Sequence, residues 1–239
     1  MNDLAALYRN RFSEADLPGK RRIWEVLCRD FFQQYVSPDD SVLDIAAGYG
    51  EFINNIRSGR KFAVDLNPDT TEFLDDDVTF HQTAADQLTA FPDNVLDVVF
   101  TSNFLEHLPD KAALSRVFAE INRVLRPGGK VLIMGPNIRC IPGAYWDFFD
   151  HTLALSHATV AEGLLLHGFA LDRVVDRFLP YTTRTALPQH PLLVSLYLKF
   201  PLAWKILGAQ FFIVGHKELA AAQAAPLSSR VADVISSQE

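Results

Sequence analysis

The chain has 239 residues, 49% of them hydrophobic, which is enough for the core of one α/β domain with a cap. Its formal net charge of −7 argues against nucleic acid as a partner, because a nucleic-acid surface needs clustered Lys and Arg. Two cysteines are too few for a disulfide framework, and charged residues precede any apolar run at the N-terminus. We therefore expect a cytoplasmic protein without a signal peptide.

Residues 1–36 precede the first predicted strand and carry apolar side chains at helical spacing. They predict one or two helices that form a cap beside or over a ligand cleft. Tyr8, Arg9, Arg11 and Phe12 are candidates for a lid on that cleft. The alternative is a helix that only completes the core.

The first buried strand, Ser41–Ile45, ends in an acid and runs into a glycine turn. Gly48 and Gly50 let the backbone turn sharply and approach a ligand without an intervening Cβ. A helix over Glu51–Ser58 is predicted to follow and to point its first N–H groups into the turn. The pattern favours a nucleotide-like ligand above the end of the strand. The alternative is an ordinary strand–helix turn, which can have the same sequence pattern.

The second strand, Lys61–Asp65, also ends in an acid, and a helix over Pro68–Leu74 follows it. Asp65 lies about twenty residues after the glycine turn, where a Rossmann-like unit places a carboxylate on a ribose hydroxyl. A carboxylate accepts hydrogen bonds from both hydroxyls of an unphosphorylated ribose. The alternative for Asp65 is a solvated helix cap.

The alternation of strands and helices continues along the chain and predicts a parallel sheet with right-handed crossovers. An antiparallel pair, Leu171–Tyr181 and Gln210–Lys217, should complete it. The fold class is therefore α/β: a Rossmann-like seven-stranded sheet, mostly parallel with a terminal antiparallel strand, with helices on both faces and an N-terminal helical cap. The remaining predicted strands are Val78–Gln82, Val95–Thr101 and Lys130–Gly135, and the remaining predicted helices are Pro109–Leu125 and Thr159–His167.

Three motifs in register carry a resemblance to a known family: Leu43–Gly50, Val64–Leu66 and the Arg-Pro-Gly-Gly turn at 126–129. Together they resemble the class I S-adenosylmethionine-dependent methyltransferases, of the type 11 and type 23 kinds. The overall pattern, including the run Tyr-Trp-Asp-Phe-Phe-Asp-His at 145–151 and the aromatic C-terminal insertion, looks like the methyltransferases of bacterial polysaccharide gene clusters. Ala46 stands where that family usually has its first glycine, which costs a methyl group of space near the methionine carboxylate. The dinucleotide fingerprint G-x-G-x-x-G is not met, which argues against a dehydrogenase.

The resemblance implies S-adenosylmethionine as the cofactor, lying across the carboxyl ends of the strands. It places Asp86 on the adenine amino group, with an amide contact from Gln87, and puts Asn103 and the backbone of Phe104 at the methionine end. The alternative for Asp86 is a loop carboxylate that caps a helical turn. The full expected cofactor set is Asp44, Ala46, Gly48, Gly50, Asp65, Leu66, Asp86, Gln87, Asn103 and Phe104.

The same resemblance makes Glu106 and His107 face the place of methyl transfer. Histidine titrates near neutrality and can take a proton from an attacking hydroxyl. His151 is the first candidate for this general base and His107 the second, with Asp150 and Glu106 assisting; structural packing is the alternative for all four. We expect no metal, because no compact His/Asp ligand set stands at metal spacing in the sequence.

Residues 137–157 are rich in aromatic and histidine side chains and are expected to shape the acceptor pocket, with Tyr145, Trp146 and His157 touching substrate. A second insertion, 188–208, has four alternatives: a wall of the acceptor site, a dimer face, a peripheral membrane contact, or core packing. Residues 1–217 then form a single domain, and 218–239 a flexible tail.

The resulting hypothesis is O-methylation of a sugar, glycan or other polyhydroxylated small molecule, in polysaccharide biosynthesis. Two alternatives stay open: N- or C-methylation of a small metabolite, and a non-catalytic cofactor-binding adaptor at a membrane or partner surface. The pattern leaves open whether the protein is a monomer or a homodimer.

Overall fold

The computed structural model describes residues 17–141, 143–180 and 190–219. The lid candidates between Tyr8 and Phe12, Tyr181 and most of the predicted tail lie outside these ranges. The helices are α1 (Leu17–Asp30), α2 (Lys111–Val124), α3 (His157–Leu166), α4 (Pro191–Leu198) and α5 (Pro201–Leu207). The strands are β1 (Ser41–Ile45), β2 (Arg60–Asp65), β3 (Val78–Gln82), β4 (Leu96–Ser102), β5 (Leu125–Pro136), β6 (Phe169–Val175) and β7 (Gln210–Lys217). Short 3-10 helices span Phe32–Tyr35, Pro68–Phe73, Leu105–His107 and Gly143–Asp147.

All seven strands form one sheet in the order β3-β2-β1-β4-β5-β7-β6. The first five strands are parallel, and β7 runs antiparallel to both β5 and β6. This confirms the predicted Rossmann-like fold class. The order reverses between β1 and β4, and open α/β sheets bind ligands at the carboxyl ends of the strands at such a point.

The two faces of the sheet carry separate hydrophobic cores, because successive strand side chains point to opposite sides. Leu43 and Ile45 of β1 belong to the core that α2 and α3 cover. Val42 belongs to the opposite core, beneath α1. Both faces are covered, as the buried apolar runs of a parallel sheet require.

An aromatic cluster fills the core beneath α1. The Phe31 and Phe178 rings stack at 4.4 Å, and Trp204 of α5 meets Phe178 edge-on at 5.1 Å. The Trp204 indole N–H donates to the Tyr197 carbonyl at 2.9 Å, which fixes α5 against α4. The described part of the 188–208 insertion therefore does pack on the core, through one face of each helix.

The predicted helix over Glu51–Ser58 was wrong, since this segment consists of turns. The side-chain amide of Asn55 donates to the Glu51 carbonyl at 2.8 Å, which is the acceptor an α-helix would give to the Asn55 backbone N–H. That N–H bonds instead to the Phe52 carbonyl at 3.0 Å. Competition of this kind from Asn side chains disfavours a regular helix.

Other element boundaries also moved. The predicted helix Pro68–Leu74 is a 3-10 helix over Pro68–Phe73, because the Asn67 side chain accepts from the Asp69 N–H at 3.1 Å and caps a tighter turn. Helix α3 begins two residues earlier than predicted, since Ser156 is its N-cap. Strand β6 covers Phe169–Val175 instead of Leu171–Tyr181. None of the helices in these ranges is long and apolar enough to cross a membrane.

Candidate functional site

The loop after β1, residues 46–50, forms a backbone cradle at the carboxyl end of the sheet. Three of its residues have left-handed backbone angles: Ala46 (φ 56°), Gly48 (φ 54°) and Gly50 (φ 68°). The positive φ of Gly50 strains any other residue there, and a Cβ at this position would also push aside the tips of the Leu74 and Asn54 side chains, 2.8 and 2.9 Å away. Alanine at position 46, where the resembling family usually has glycine, therefore adds backbone strain as well as a methyl group.

Asp65 ties this cradle to β2. One carboxylate oxygen accepts from the Gly48 N–H at 2.9 Å and the other from the Asn67 N–H at 2.8 Å. Burial raises the pKa of Asp65, and these backbone donors oppose the shift. The neighbouring Leu66 side chain is 56% exposed and offers an apolar surface beside the carboxylate. This combination fits a ribose on Asp65 with a flat ring next to it.

Asp44 lies at the base of the cradle and is 4% exposed. Burial raises its pKa well above the usual value, and the charges of Glu51 and Asp65 raise it further. Glu51 is itself paired with Lys20 of α1, whose Nζ lies 2.6 Å from Oε1 and 5.7 Å from the Tyr49 ring centroid. The sequence gives no signal for this pair, because Lys20 and Glu51 lie far apart in the chain.

Asp86 and Gln87 sit in the loop after β3 with different surroundings. Asp86 Oδ2 accepts from Arg116 Nε of α2 at 3.0 Å, a pairing that sequence order did not suggest. Gln87 is exposed, and its backbone N–H bonds to the Ala84 carbonyl at 3.0 Å. An adenine contact at Asp86 would have to share the carboxylate with Arg116, so the adenine role of this pair stays a prediction.

Asn103 and Phe104 end β4 next to the cradle. Asn103 has φ 48°, and its N–H donates to the Met134 carbonyl of β5 at 3.0 Å. Asn tolerates this conformation better than most residues. Phe104 packs partly against the core under α2. The 3-10 helix Leu105–His107 follows this turn directly.

Residues 143–153, where the acceptor is expected, are hydrogen-bonded to Glu106 just after β4. The Glu106 carbonyl accepts from the N–H groups of Thr152 and Leu153 at 2.9 and 3.0 Å, which holds residues 143–153 over the strand end. The Glu106 side chain is 1% exposed, and Oε1 accepts from the Tyr145 hydroxyl at 2.7 Å. Burial raises the pKa of Glu106, while His107 and the Tyr145 hydroxyl act against the shift.

The two candidate bases lie side by side. The His107 and His151 ring centroids are 5.0 Å apart, and the Tyr145 ring lies 4.2 Å from that of His151. His107 Nδ1 is 3.2 Å from Asp150 Oδ2. The structure thus brings all four predicted catalytic residues into one cluster, and it shows a group of three metal-capable side chains that sequence spacing had not suggested.

The three predicted substrate contacts differ in placement. Tyr145 and Trp146 lie in the cluster, with ring centroids 5.1 Å apart. Trp146 Nε1 and Glu106 Oε2 are buried, and neither meets a hydrogen-bond partner within the described ranges. His157 is buried in the first turn of α3, and its Nδ1 lies 2.9 Å from the Asn137 amide, a placement that serves packing.

Comparison with known proteins finds methyltransferases. Residues 43–133 match the family model described as a methyltransferase domain. A relative from Hahella chejuensis, the ubiquinone/menaquinone biosynthesis C-methyltransferase UbiE, is 31% identical over 179 residues, covering 68% of this chain and 65% of that protein. The chain therefore spans less than two thirds of that relative's length.

Two solved structures share the fold. A Haloferax volcanii methyltransferase, in complex with the Trm112 methyltransferase activator, superposes with a TM-score of 0.62 at 19% identity, covering 86% of this chain and 94% of its own. A SAM-dependent methyltransferase from Archaeoglobus fulgidus gives a TM-score of 0.59 at 21% identity, covering 82% of this chain and 94% of its own.

Proposed function

Because the chain carries a class I S-adenosylmethionine-dependent methyltransferase domain, we propose that it methylates a hydroxyl oxygen of a sugar or other polyhydroxylated small molecule. The cradle and Asp65 fit the cofactor: the open backbone accepts its methionine end, and the carboxylate accepts its ribose hydroxyls. S-adenosylmethionine, when bound, supplies a methyl group already activated by a sulfonium.

The observation that carries the proposal is the pair of buried polar atoms in the acceptor cluster. Trp146 Nε1 is a donor and Glu106 Oε2 an acceptor, and neither is satisfied by the described residues. Leaving such groups unpaired costs roughly 1–3 kcal/mol each, so a ligand with hydroxyl groups would recover that energy. The aromatic faces of Tyr145 and Trp146 suit the C–H faces of a sugar.

The chain's own residues then supply alignment and a proton acceptor. The acceptor oxygen attacks the methyl carbon, the carbon–sulfur bond breaks, and the hydroxyl proton passes to a histidine. Orientation of the reactants can supply roughly 7–11 kcal/mol. His151 is the first candidate base and His107 the second, because both stand in the same cluster as the unpaired Trp146 and Glu106 atoms.

The test is transfer of a carbon-13-labelled methyl group from the cofactor to a panel of sugars and nucleotide sugars. His151→Ala and His107→Ala should lower kcat by roughly 100-fold or more where the residue is the base. His216→Ala is the matched control, since His216 pairs with Asp172 at 2.8 Å on the exposed end of the sheet. Full turnover in both His151→Ala and His107→Ala would remove the base assignment.

C-methylation is the second candidate, favoured by the likeness to UbiE, whose name states that chemistry. The labelled product distinguishes the two directly, because a methyl carbon on oxygen and one on carbon differ in carbon-13 chemical shift. A labelled C-methyl product from a quinone precursor would replace the O-methylation proposal.

We further propose that the outer face of α4 and α5 rests on an anionic membrane surface. Residues four apart on a helix share a face, and Leu202 and Ile206 are 76% and 77% exposed. Lys199 and Lys205 flank this face and would lie at the headgroups, each contributing about 1 kcal/mol near anionic lipid. The exposed apolar residues of this face are Leu192, Leu193, Leu196, Phe200, Leu202, Ile206 and Leu207.

Co-sedimentation with phosphatidylserine-containing vesicles tests this surface. The double substitution Leu202→Glu with Ile206→Glu should abolish sedimentation. Leu166→Glu is the control, since Leu166 is also exposed but belongs to α3. A dimer in solution that Ile206→Glu dissociates, or wild-type protein that stays in the supernatant, would overturn the membrane proposal.

A further inference from the structure

Three metal-capable side chains meet at the acceptor side of the site. His107, Asp150 and His151 each offer a ligand atom, and these atoms all lie within 4.8 Å of one another. The three residues come from two segments, the turn after β4 and the end of residues 143–151. The side chains of His107 and Asp150 are 31% and 27% exposed, so an ion has a path from solvent.

The hydrogen bonds around the two histidines fix the same tautomer in both. His151 Nδ1 lies 2.7 Å from the Tyr145 carbonyl, and His107 Nδ1 lies 3.0 Å from the Asp150 carbonyl. A carbonyl only accepts, so each Nδ1 carries the proton and each ring lone pair is on Nε2. His151 is thus oriented as metal-binding histidines are, with the second ring nitrogen donating to a carbonyl. His107 Nδ1 also faces the Asp150 carboxylate, whose Oδ2 lies 3.2 Å away.

From this arrangement we propose that His151, His107 and Asp150 bind one divalent transition-metal ion of the zinc, manganese or iron(II) class, through one ring nitrogen of each histidine and one carboxylate oxygen of Asp150. Two imidazoles and a carboxylate suit these ions, whereas magnesium and calcium prefer oxygen ligands alone. Three protein ligands leave at least one coordination position for an exogenous oxygen.

The site also suggests what that position holds. In a role that rests on the proposed function, the ion binds an acceptor hydroxyl and favours its deprotonated form during attack. With both histidines holding the ion, the hydroxyl proton passes to solvent water, so this role is an alternative to the histidine base of the proposed function, and the chelator assay separates the two. Metal binding itself requires neither cofactor nor acceptor, so it can be measured separately from methyl transfer.

The experiment uses the untagged full chain after chelator treatment, titrated with Co²⁺ and followed by visible absorption, and with Zn²⁺ followed by calorimetry. We expect saturable binding of one equivalent. His107→Ala and His151→Ala should each weaken binding at least about tenfold, and His151→Gln should do the same with less disturbance of packing. His216→Ala should bind as the wild type does, because no third ligand stands beside the His216–Asp172 pair among the residues that the structure describes.

Two results would overturn the metal site: no stoichiometric binding by folded wild-type protein, or unchanged affinity in the folded double variant His107→Ala with His151→Ala. The methyl-transfer assay keeps the two proposals apart. Metal binding without transfer to any hydroxyl acceptor would support the site and sink the proposed function. Transfer that persists at full rate in chelator-treated protein with no bound metal would keep the function and overturn the role of the ion.

Discussion

Replacing Asp65 with Ala tests the cofactor cleft at the residue on which its geometry depends. Asp65 accepts the Gly48 and Asn67 N–H groups at 2.9 and 2.8 Å, and the proposal gives the remaining lone pairs of the carboxylate to the ribose hydroxyls. Hydrogen bonds to a charged group contribute about 1.5–3 kcal/mol each. The variant would lose two hydrogen bonds to the ribose but would no longer bury a carboxylate. The net loss of binding free energy is about 3 kcal/mol, or roughly a 100-fold loss of affinity.

The assay is calorimetric titration with S-adenosylhomocysteine, alongside urea unfolding of the free protein. Asp65→Ala should bind the ligand roughly 100-fold more weakly and lose about 1–3 kcal/mol of unfolding free energy, because two buried N–H groups lose their acceptor. Asp39→Ala is the control: it removes the same charge from an exposed position before β1, at the opposite end of the strand. Wild-type affinity in folded Asp65→Ala would refute the assignment of the ribose to this carboxylate.

Three further predictions concern the site. Ala46→Gly should raise the unfolding free energy by roughly 0.5–1 kcal/mol in urea, because φ 56° strains alanine; Ala47→Gly, at a position without positive φ, should lower it. Asp44→Asn should become more stable relative to the wild type as the pH rises from about 4, by at most about 1.4 kcal/mol of unfolding free energy per pH unit. The reason is that the raised pKa of Asp44 gives the wild type a stability contribution that is lost as the pH rises through that pKa. The same pH dependence of unfolding free energy in both proteins would contradict this. Tyr145→Phe should lower the unfolding free energy by about 1–3 kcal/mol, because it leaves Glu106 Oε1 buried without its hydrogen-bond donor. When Tyr145→Phe is made in the Glu106→Leu variant, the loss should be far smaller, because no carboxylate is left there.

The fold could be predicted because each local signal agreed with the global one. Buried apolar strands ending in Asp44 and Asp65, and the Arg-Pro-Gly-Gly turn after an amphipathic helix, all belong to the same alternating pattern. The sheet order and the antiparallel β7 confirmed it. The predicted helix Glu51–Ser58 was wrong for a local reason, since the Asn55 side chain bonds to the carbonyl that would have continued the helix.

The site was predictable on the cofactor side and less so on the acceptor side. Sequence motifs gave Gly48, Gly50 and Asp65 because the cradle is built from consecutive residues. The meeting of His107 with Asp150 and His151 depends on backbone bonds from residues 152 and 153 to Glu106, which no spacing rule records. The Asp86–Arg116 pair likewise joins a loop to a helix that is distant in sequence.

The most direct measurement is a crystal structure of the chain grown with S-adenosylhomocysteine. The account predicts ligand density over the carboxyl ends of β1, β2 and β4, with the ribose hydroxyls on Asp65 and the sulfur beside the turn at Asn103, facing His107 and His151. Density for the ligand elsewhere on the molecule, or an empty cleft at saturating ligand in a crystal form that leaves the cleft open, would contradict it.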